Sequence, residues 1–327
     1  MTDARDEPAA LGAALIQGDR RALSRAITLV ESERVADGPD AERLLATVVA
    51  RSGGSLRLGV TGPPGVGKST LIDALGRHAI ACGERVAVLA IDPSSPLGGG
   101  SILGDKTRMG RLAADPQSFV RASPSRGVAG GVGHRTHEAM LLCEAAGYTV
   151  VIVETLGTGQ GEHAVSSSVD CLVLVLIAGA GDELQGMKRG LLELADLVVI
   201  NKADGENQAL AEQTAAELTS ALGLSPRGAA PARVVRTLSA REELGVADLW
   251  SAVGEHVRAL SASGALARRR AAGEERELEV EIELALRERL QAPDLAAERR
   301  RLAALVVARK LTAREAARLL VAGLGER

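Results

Sequence analysis

A glycine-rich run followed by lysine and serine is the part of the chain best suited to chemistry. The residues are Gly62, Pro63, Pro64, Gly65, Val66, Gly67, Lys68, Ser69 and Thr70. They fill every fixed position of the pattern G-x-x-x-x-G-K-[ST]. Glycines here let successive backbone N–H groups turn toward a phosphate, the lysine can reach the β- and γ-phosphates, and the serine can ligate Mg²⁺. The spacing predicts a nucleoside triphosphate site, and the alternative is a glycine-rich turn that matches by chance.

An acid that follows an apolar run is the second candidate. Residues 150–153 are apolar, Glu154 comes next, and Gly157 follows three residues later. The order matches the D-x-x-G element of GTPases with Glu in place of Asp, so the carboxylate would hold Mg²⁺ and the Gly157 N–H would sense the γ-phosphate. An acid after a strand is often only an exposed charge, so this interpretation depends on the phosphate-binding run.

The third candidate is Asn201-Lys202-Ala203-Asp204, which also follows an apolar run. In N-K-x-D the aspartate accepts hydrogen bonds from guanine N1–H and from the exocyclic amine. Adenine offers no donor there and would leave a buried carboxylate unpaired. The motif therefore predicts guanine over adenine. Ser239 and Ala240 resemble the short loop that contacts guanine O6, although two residues are weak support.

Two further acids lie between the phosphate-binding run and Glu154. Asp92 ends an apolar run and Asp105 lies in a glycine-rich stretch, so either can orient Mg²⁺ or an attacking water; ordinary loop and capping roles are the alternative. His134 and His137 are three residues apart. Because no other histidine or cysteine is near them in sequence, we interpret them as a solvated helix face rather than as metal ligands.

Alternating strands and helices are needed to position these residues. Apolar runs predict strands near residues 56–60, 86–91, 118–122, 149–154, 171–177, 196–200 and 233–236. Such runs are typical of strands buried on both faces, which predicts an α/β fold with a mostly parallel sheet flanked by helices. Ligands bind at the carboxyl ends of strands in this architecture, and each of the motifs falls at a predicted strand end.

Helical patterns flank this region, so we expect an N-terminal helical segment at 1–54, a nucleotide-binding domain at 55–263 and a C-terminal helical segment at 264–327. Asp19 is positioned to cap a second N-terminal helix, and Thr312 with Glu315 forms a capping-box pattern. The C-terminal segment carries a narrow apolar stripe at Leu278, Ile282, Leu286 and Leu290. It can pack back on the sheet or bury the stripe against another subunit, and we favour the second arrangement.

The composition excludes several classes of function. Phe119, Tyr148 and Trp250 are the only aromatic residues, which argues against base stacking on single-stranded nucleic acid. A formal net charge of −3 gives no footprint for nucleic acid or an anionic membrane. The three cysteines are isolated, which favours reduced thiols over disulfides or a zinc site. With no signal peptide or membrane-spanning run, we expect a cytoplasmic protein.

The motifs together resemble one known family. The blocks GPPGVGKST, GGSILGDKTRM, IVETLGTGQGE, AGAGDELQGMKRGLLELAD and NKADG are similar, in order and spacing, to those of the MeaB/ArgK (MMAA-type) GTPases, over roughly residues 10 to 325. These GTPases are associated with methylmalonyl-CoA mutase and similar adenosylcobalamin-dependent acyl-CoA mutases. The resemblance implies the P-loop fold of the signal-recognition/MinD/BioD class, a homodimer and a C-terminal dimerisation arm.

Site residues follow from the resemblance by matching position. It implies Lys68 and Ser69 at the phosphates and Mg²⁺, and it implies Asn201, Lys202 and Asp204 at guanine. Asp92, Asp105 and Glu154 would surround the metal and the attacking water. The block containing Lys188 resembles an additional switch of the family, where this lysine would approach the γ-phosphate once the mutase orders the loop.

The expected function is a Mg²⁺-dependent GTPase that gates the delivery of adenosylcobalamin to an acyl-CoA mutase and protects that enzyme. A nickel-insertion GTPase would share the fold, but it should carry a Cys/His cluster near the site, and the sequence has no such pattern. A kinase or ATPase linked to amino-acid transport would need an acceptor base and a second-substrate pocket. A purely structural protein would not need Lys68 or the complete guanine motif.

Overall fold

The structure, a computed structural model, divides into two compact units, Met1–Glu274 and Glu275–Arg327. The N-terminal helices and the sheet belong to the same unit, and the boundary between the units falls inside a long helix. The structure describes residues 7–32, 34–92, 109–124, 131–155, 162–179, 189–223 and 234–323.

The first unit contains a seven-stranded parallel sheet. Its strands are β1 (Leu56–Thr61), β2 (Val86–Asp92), β3 (Ser118–Pro124), β4 (Val150–Glu154), β5 (Cys171–Ile177), β6 (Leu197–Asn201) and β7 (Val234–Thr237). The order across the sheet is β3-β2-β4-β1-β5-β6-β7, and every pair is parallel. The predicted α/β fold is confirmed, and each predicted strand matches one of these to within two residues. The order places β1 centrally, so the loop after it lies between the ends of β4 and β5.

Helices cover both faces of the sheet in the first unit. They are α1 (Glu7–Ile16), α2 (Arg20–Val30), α3 (Gly38–Val48), α4 (Lys68–Ala81), α5 (Gly110–Ala114), α6 (Gly131–Ala145), α7 (Glu162–Ser168), α8 (Arg189–Leu194), α9 (Gln208–Gly223), α10 (Val246–Ala262) and the beginning of α11 (Ala265–Gln291). Alternate residues of one strand serve opposite faces, so Val150 and Ile152 pack with α4 while Val151 and Val153 pack with α2 and α6. Burial on both faces explains why these strands are continuous apolar runs.

The N-terminal helices pack on one face of the sheet rather than forming a separate core. Leu15, Leu23 and Leu44, one from each of α1 to α3, are fully buried in the cluster that also contains residues of β4 and α6. Asp19 caps α2 as predicted, because its carboxylate accepts hydrogen bonds from the N–H groups of residues 21 and 22. Gly38 and Pro39 form the first turn of α3, because proline is favoured at the start of a helix.

The second unit continues α11 and adds α12 (Ala296–Val307) and α13 (Ala313–Ala322). Thr312 and Glu315 form the predicted capping box, in which each side chain accepts a hydrogen bond from the other residue's backbone N–H. Leu278, Ile282 and Leu286 are 60%, 43% and 52% exposed, so most of the stripe remains open to solvent in the monomer. No helix in the described ranges combines the length and the apolar character needed to cross a bilayer.

Buried ion pairs close the amino ends of the strands, at the edge opposite the motifs. The guanidinium of Arg57 donates to both carboxylate oxygens of Glu144, at 2.7 and 3.1 Å. Arg270, near the start of α11, donates to Asp170 at 2.7 and 2.8 Å. Removing one partner of such a pair would leave a buried charge unmatched. The first pair therefore fixes α6 to β1, and the second fixes the first turns of α11 to the sheet.

Candidate functional site

The glycine-rich run connects β1 to α4 at the carboxyl edge of the sheet. Gly62 has φ +146°, and a Cβ atom built there would lie 2.1 Å from the backbone oxygen of Val175. Gly67 has φ +93°, and its Cβ would lie 2.5 Å from Nδ2 of Asn201. Both positions exclude a side chain for steric and conformational reasons. The loop can therefore press its backbone against β5 and β6 and keep its N–H groups available at the helix start.

Lys68 and Ser69 form the first turn of α4. The ammonium group of Lys68 donates to the carbonyl oxygens of Gly62 and Pro63, at 2.8 and 3.0 Å, so the lysine folds back over its own loop. The hydroxyl of Ser69 donates to Oε1 of Glu154 at 2.8 Å. Glu154 is only 8% exposed, and it ends β4, the neighbour of β1. A hydroxyl and a carboxylate thus converge beside the loop.

Asn201 joins the glycine-rich loop to a second loop on the other side of β6. Its Nδ2 donates to the carbonyl oxygen of Val66 at 2.8 Å, and its Oδ1 accepts from the N–H of Ala240 at 3.0 Å. The side chain is 2% exposed, so both hydrogen bonds are shielded from water. Lys202, the next residue, has φ +61°, which turns the chain sharply out of β6 toward Asp204. The first residue of N-K-x-D therefore holds the surrounding loops together.

The segment Ser239–Gly245, here named the 239–245 loop, follows β7. Backbone hydrogen bonds between Ser239 and Leu244, at 3.0 and 3.1 Å, close it into a compact turn. Part of the loop faces a pocket of about 650 Å³. Its lining includes Asp204, Gln208, Ser239, Glu242, Leu244 and Gly245. The acidic residue of N-K-x-D thus faces the same space as the loop that was predicted to contact guanine.

The structure brings most of the predicted residues to one edge. These predicted residues lie at or directly after the carboxyl ends of β1, β4, β6 or β7: the glycine-rich run, Glu154, the N-K-x-D residues, Ser239 and Ala240. Thr70 is exposed on α4, one residue beyond Ser69. Asp92 ends β2, and Ala90 pairs with Glu154 in register, so Asp92 lies at the same edge. Its side chain, together with Asp105, Gly157 and Lys188, falls outside the described residues.

Thr61 and Thr155, which no motif in the sequence indicated, lie at the end of β1 and directly after β4, beside the candidate site. The Thr155 hydroxyl donates to the Thr61 hydroxyl at 2.8 Å, and both side chains are buried. The hydrogen bond joins the ends of β1 and β4, so it fixes the spacing between the phosphate-binding loop and Glu154. The only signal in the sequence was a hydroxyl residue at the end of each apolar run.

The expectation of a solvated helix face is wrong for His137. This residue of α6 is 5% exposed, and its Nε2 lies 3.3 Å from Oε2 of Glu274. Its neighbour comes from α11, far along the chain, so no local pattern could indicate the burial. The side chain of His134 lies outside the described residues.

One group of potential metal ligands occurs among the described residues, and it lies at the opposite edge of the sheet. Cys171, Asp196 and His256 are buried, with ligand atoms within 4.8 Å of one another. Arg269 donates to Asp196 at 2.9 Å and supplies the charge that a cation would bring. Burial raises the pKa of the Cys171 thiol, which keeps it protonated. We interpret the group as a structural network, distant from the site where a nickel-insertion GTPase would need it.

The fold and the site define a P-loop NTPase. A glycine-rich loop links the central strand of a parallel sheet to a helix that begins with Lys68 and Ser69, and Glu154 lies on the neighbouring strand.

The chain belongs to the family described as methylmalonyl-CoA mutase-associated GTPase MeaB, whose family model matches residues 23–294. The resemblance inferred from the motifs is thus confirmed. Membership implies a guanine-nucleotide-binding GTPase.

Individual relatives agree with this assignment. A probable GTPase of Mycobacterium tuberculosis is 52% identical over 261 residues, which cover 80% of this chain and 78% of the relative. The mitochondrial methylmalonic aciduria type A homolog of mouse is 45% identical over 268 residues, covering 78% of this chain and 64% of the relative. A crystal structure described as an LAO/AO transport system kinase aligns with a TM-score of 0.74 and 36% identity, covering 99% of both chains.

Proposed function

We propose that the chain is a Mg²⁺-dependent GTPase that converts GTP and water to GDP and phosphate in the service of an adenosylcobalamin-dependent acyl-CoA mutase. The observation that carries the nucleotide part is the bridge made by Asn201 between Val66 and Ala240. It makes the phosphate-binding loop and the 239–245 loop one hydrogen-bonded unit. A ligand that needs both loops has a phosphate end and a base end, as GTP has.

The phosphates are held by the N–H groups of the glycine-rich loop and by Lys68. Lys68 exchanges the carbonyl oxygens of Gly62 and Pro63 for β- and γ-phosphate oxygens when the nucleotide enters. This exchange keeps the ammonium group hydrogen-bonded in both states. At the other end Asp204 accepts from guanine N1–H and from the exocyclic amine, and Ser239 and Ala240 lie beside O6.

Ser69 and Glu154 are suited to hold Mg²⁺. Their oxygen atoms are 2.8 Å apart at the end of the phosphate-binding loop, and hydroxyl and carboxylate oxygens are the ligands that this hard cation prefers. We propose Asp92 and Asp105 as further acids around the metal and the attacking water. Mg²⁺ bound here would neutralise charge on the β- and γ-phosphate oxygens.

Hydrolysis proceeds by in-line attack. A water oxygen forms a bond to the γ-phosphorus, and the bond from that phosphorus to the bridging oxygen of GDP breaks. One proton of the water stays on the new phosphate hydroxyl, and the other passes to a phosphate oxygen or to solvent. Lys68 and the N–H of Gly157 stabilise charge on the γ-phosphate. We propose that Lys188 adds positive charge only when a partner orders its segment, so that basal turnover is slow.

We propose methylmalonyl-CoA mutase, or a related acyl-CoA mutase, as this partner, and nucleotide-gated cobalamin delivery and enzyme protection as the outcome. Support comes from the family description and from the name of the mouse relative. We also propose a homodimer, supported by the exposed apolar stripe of α11, and a cytoplasmic location, supported by three free cysteines.

Phosphate release tests this proposal. The purified protein is incubated with Mg²⁺ and either GTP or ATP, with and without methylmalonyl-CoA mutase loaded with adenosylcobalamin. We expect slow release from GTP, faster release with the mutase, and little from ATP. Turnover of ATP alone would contradict guanine selectivity, and an unchanged rate with the mutase would contradict the partner.

The kinase alternative is favoured only by the name given to the similar crystal structure, a transport system kinase. GTP labelled at the γ-phosphate distinguishes the two activities. We expect all label to appear as inorganic phosphate, whereas label on a small molecule or protein would support a kinase.

A further inference from the structure

Glu243 is one of three residues of the 239–245 loop that do not line the pocket, together with Ala240 and Arg241. The other residues of the loop line it: Ser239, Glu242, Leu244 and Gly245. Glu243 has φ +59°, a left-handed backbone conformation that non-glycine residues rarely adopt. Such a conformation persists where surrounding contacts hold the residue in place.

Two arginines hold the side chain of Glu243. Arg77 of α4 donates to Oε1 at 2.7 Å and to Oε2 at 3.5 Å, and Arg111 of α5 approaches Oε1 at 3.3 Å. The hydrogen bond from Arg77 lowers the pKa of the Glu243 carboxyl. The group is therefore ionised at neutral pH, and both contacts are charge-assisted.

Arg77 is itself fixed on the phosphate-binding helix. Its Nε donates to Oδ2 of Asp73 at 3.0 Å, and Oδ1 of the same aspartate accepts from the N–H of Leu112 at 2.9 Å. Asp73 is 7% exposed, so these bonds are protected from water. α4 begins at Lys68, the phosphate-binding lysine. A series of polar contacts thus runs from the 239–245 loop through α4 to α5.

We propose that Glu243 is a positioning residue for the nucleoside end of the ligand. Its ion pair with Arg77 holds the Glu243 side of the 239–245 loop against α4. The loop residues that line the pocket are thereby positioned beside the base. Asn201 ties the same loop to the phosphate side, so Glu243 supplies a second, independent anchor. The inference rests on the proposed guanine-nucleotide function and names a residue that acts on base affinity without touching the nucleotide.

Dissociation of a fluorescent GDP analogue from the full-length protein tests the role. Glu243→Gln removes the charge, and Glu243→Gly removes the side chain while relieving the left-handed backbone. We expect both variants to release GDP about fivefold faster and to raise KM for GTP by a similar factor, with kcat unchanged. Glu298→Gln is the matched control, because it breaks a similar two-contact pair with Arg301 on α12. It should keep wild-type kinetics.

The outcomes separate this role from a general loss of structure. A wild-type rate of GDP release from the Glu243→Gly variant would overturn the proposal. The loop backbone would then be sufficient to position the base without the ion pair. A fall in kcat with KM unchanged would also overturn it.

Should neither variant fold, Arg77→Lys provides a second test. Lysine keeps the charge but loses the bidentate contact, so GDP release should accelerate by a smaller factor. A wild-type rate of release from this variant would overturn the proposal. A wild-type protein that binds no guanine nucleotide would overturn the proposed function as well, whereas wild-type kinetics in every variant would overturn this inference alone.

Discussion

Asn201→Ala is the substitution whose cost follows most directly from the structure. The side chain is 2% exposed and makes two hydrogen bonds, to the carbonyl oxygen of Val66 and from the N–H of Ala240. Alanine would leave both backbone groups buried without these partners. Each such group costs about 1–3 kcal/mol. We therefore expect the free energy of unfolding to fall by roughly 3 kcal/mol, without any nucleotide present.

Urea unfolding followed by tryptophan fluorescence measures this loss. Trp250 is the single tryptophan and packs against the core of the first unit, so its signal reports the unit that contains Asn201. Asn207→Ala is the matched control, because this asparagine is exposed and should change stability by less than about 0.5 kcal/mol. Equal m-values would show that the variants expose the same surface on unfolding. If Asn201→Ala cost no more than the control, Asn201 would not hold the two loops together.

Three further predictions concern specificity, switching and the thiols. Asp204→Asn should weaken GTP binding and favour xanthosine nucleotides, because the amide presents a donor to the changed base edge; unchanged GTP affinity in calorimetry would contradict the guanine assignment. Lys188→Ala should keep basal phosphate release and lose most stimulation by the mutase, whereas equal loss of both would contradict the switch role. A thiol reagent at pH 8 should label Cys82 quickly and label Cys143 and Cys171 only after unfolding, because burial raises the pKa of both inner thiols. Rapid labelling of all three cysteines in the folded protein would refute this prediction.

The strands could be predicted because the sheet imposes a simple pattern on the sequence. Each inner strand is buried on both faces, so the run from Val150 to Val153 is apolar throughout. The helices begin where local chemistry indicates, at Asp19 and at Thr312, because a cap depends on neighbouring residues only. The pairing of β1 with β4 and β5 depends on residues far apart in the chain, and we did not predict it.

The phosphate and guanine motifs could be predicted because each is a short segment that binds through its own residues. The contacts between segments were not visible in the same way. Glu243 is one acid in an unremarkable polar run until the fold brings Arg77 to it. The sequence around His137 fits a solvated helix face, but the fold places Glu274 of α11 beside this histidine. Contacts between residues that are far apart in the chain cannot be read from the spacing of residues within one segment.

The central position of β1 has a consequence for synthesis on the ribosome. Leu56 pairs with Val150, and Leu58 pairs with Cys171, so the first strand made finds its neighbours only after about a hundred more residues. At roughly 5–20 residues per second, this interval lasts about 5–20 s. Throughout it the nascent chain carries an apolar strand with two open edges. A fragment that ends before residue 150 contains the complete motif but lacks Val175 and Asn201, the residues against which the nucleotide-binding loop packs.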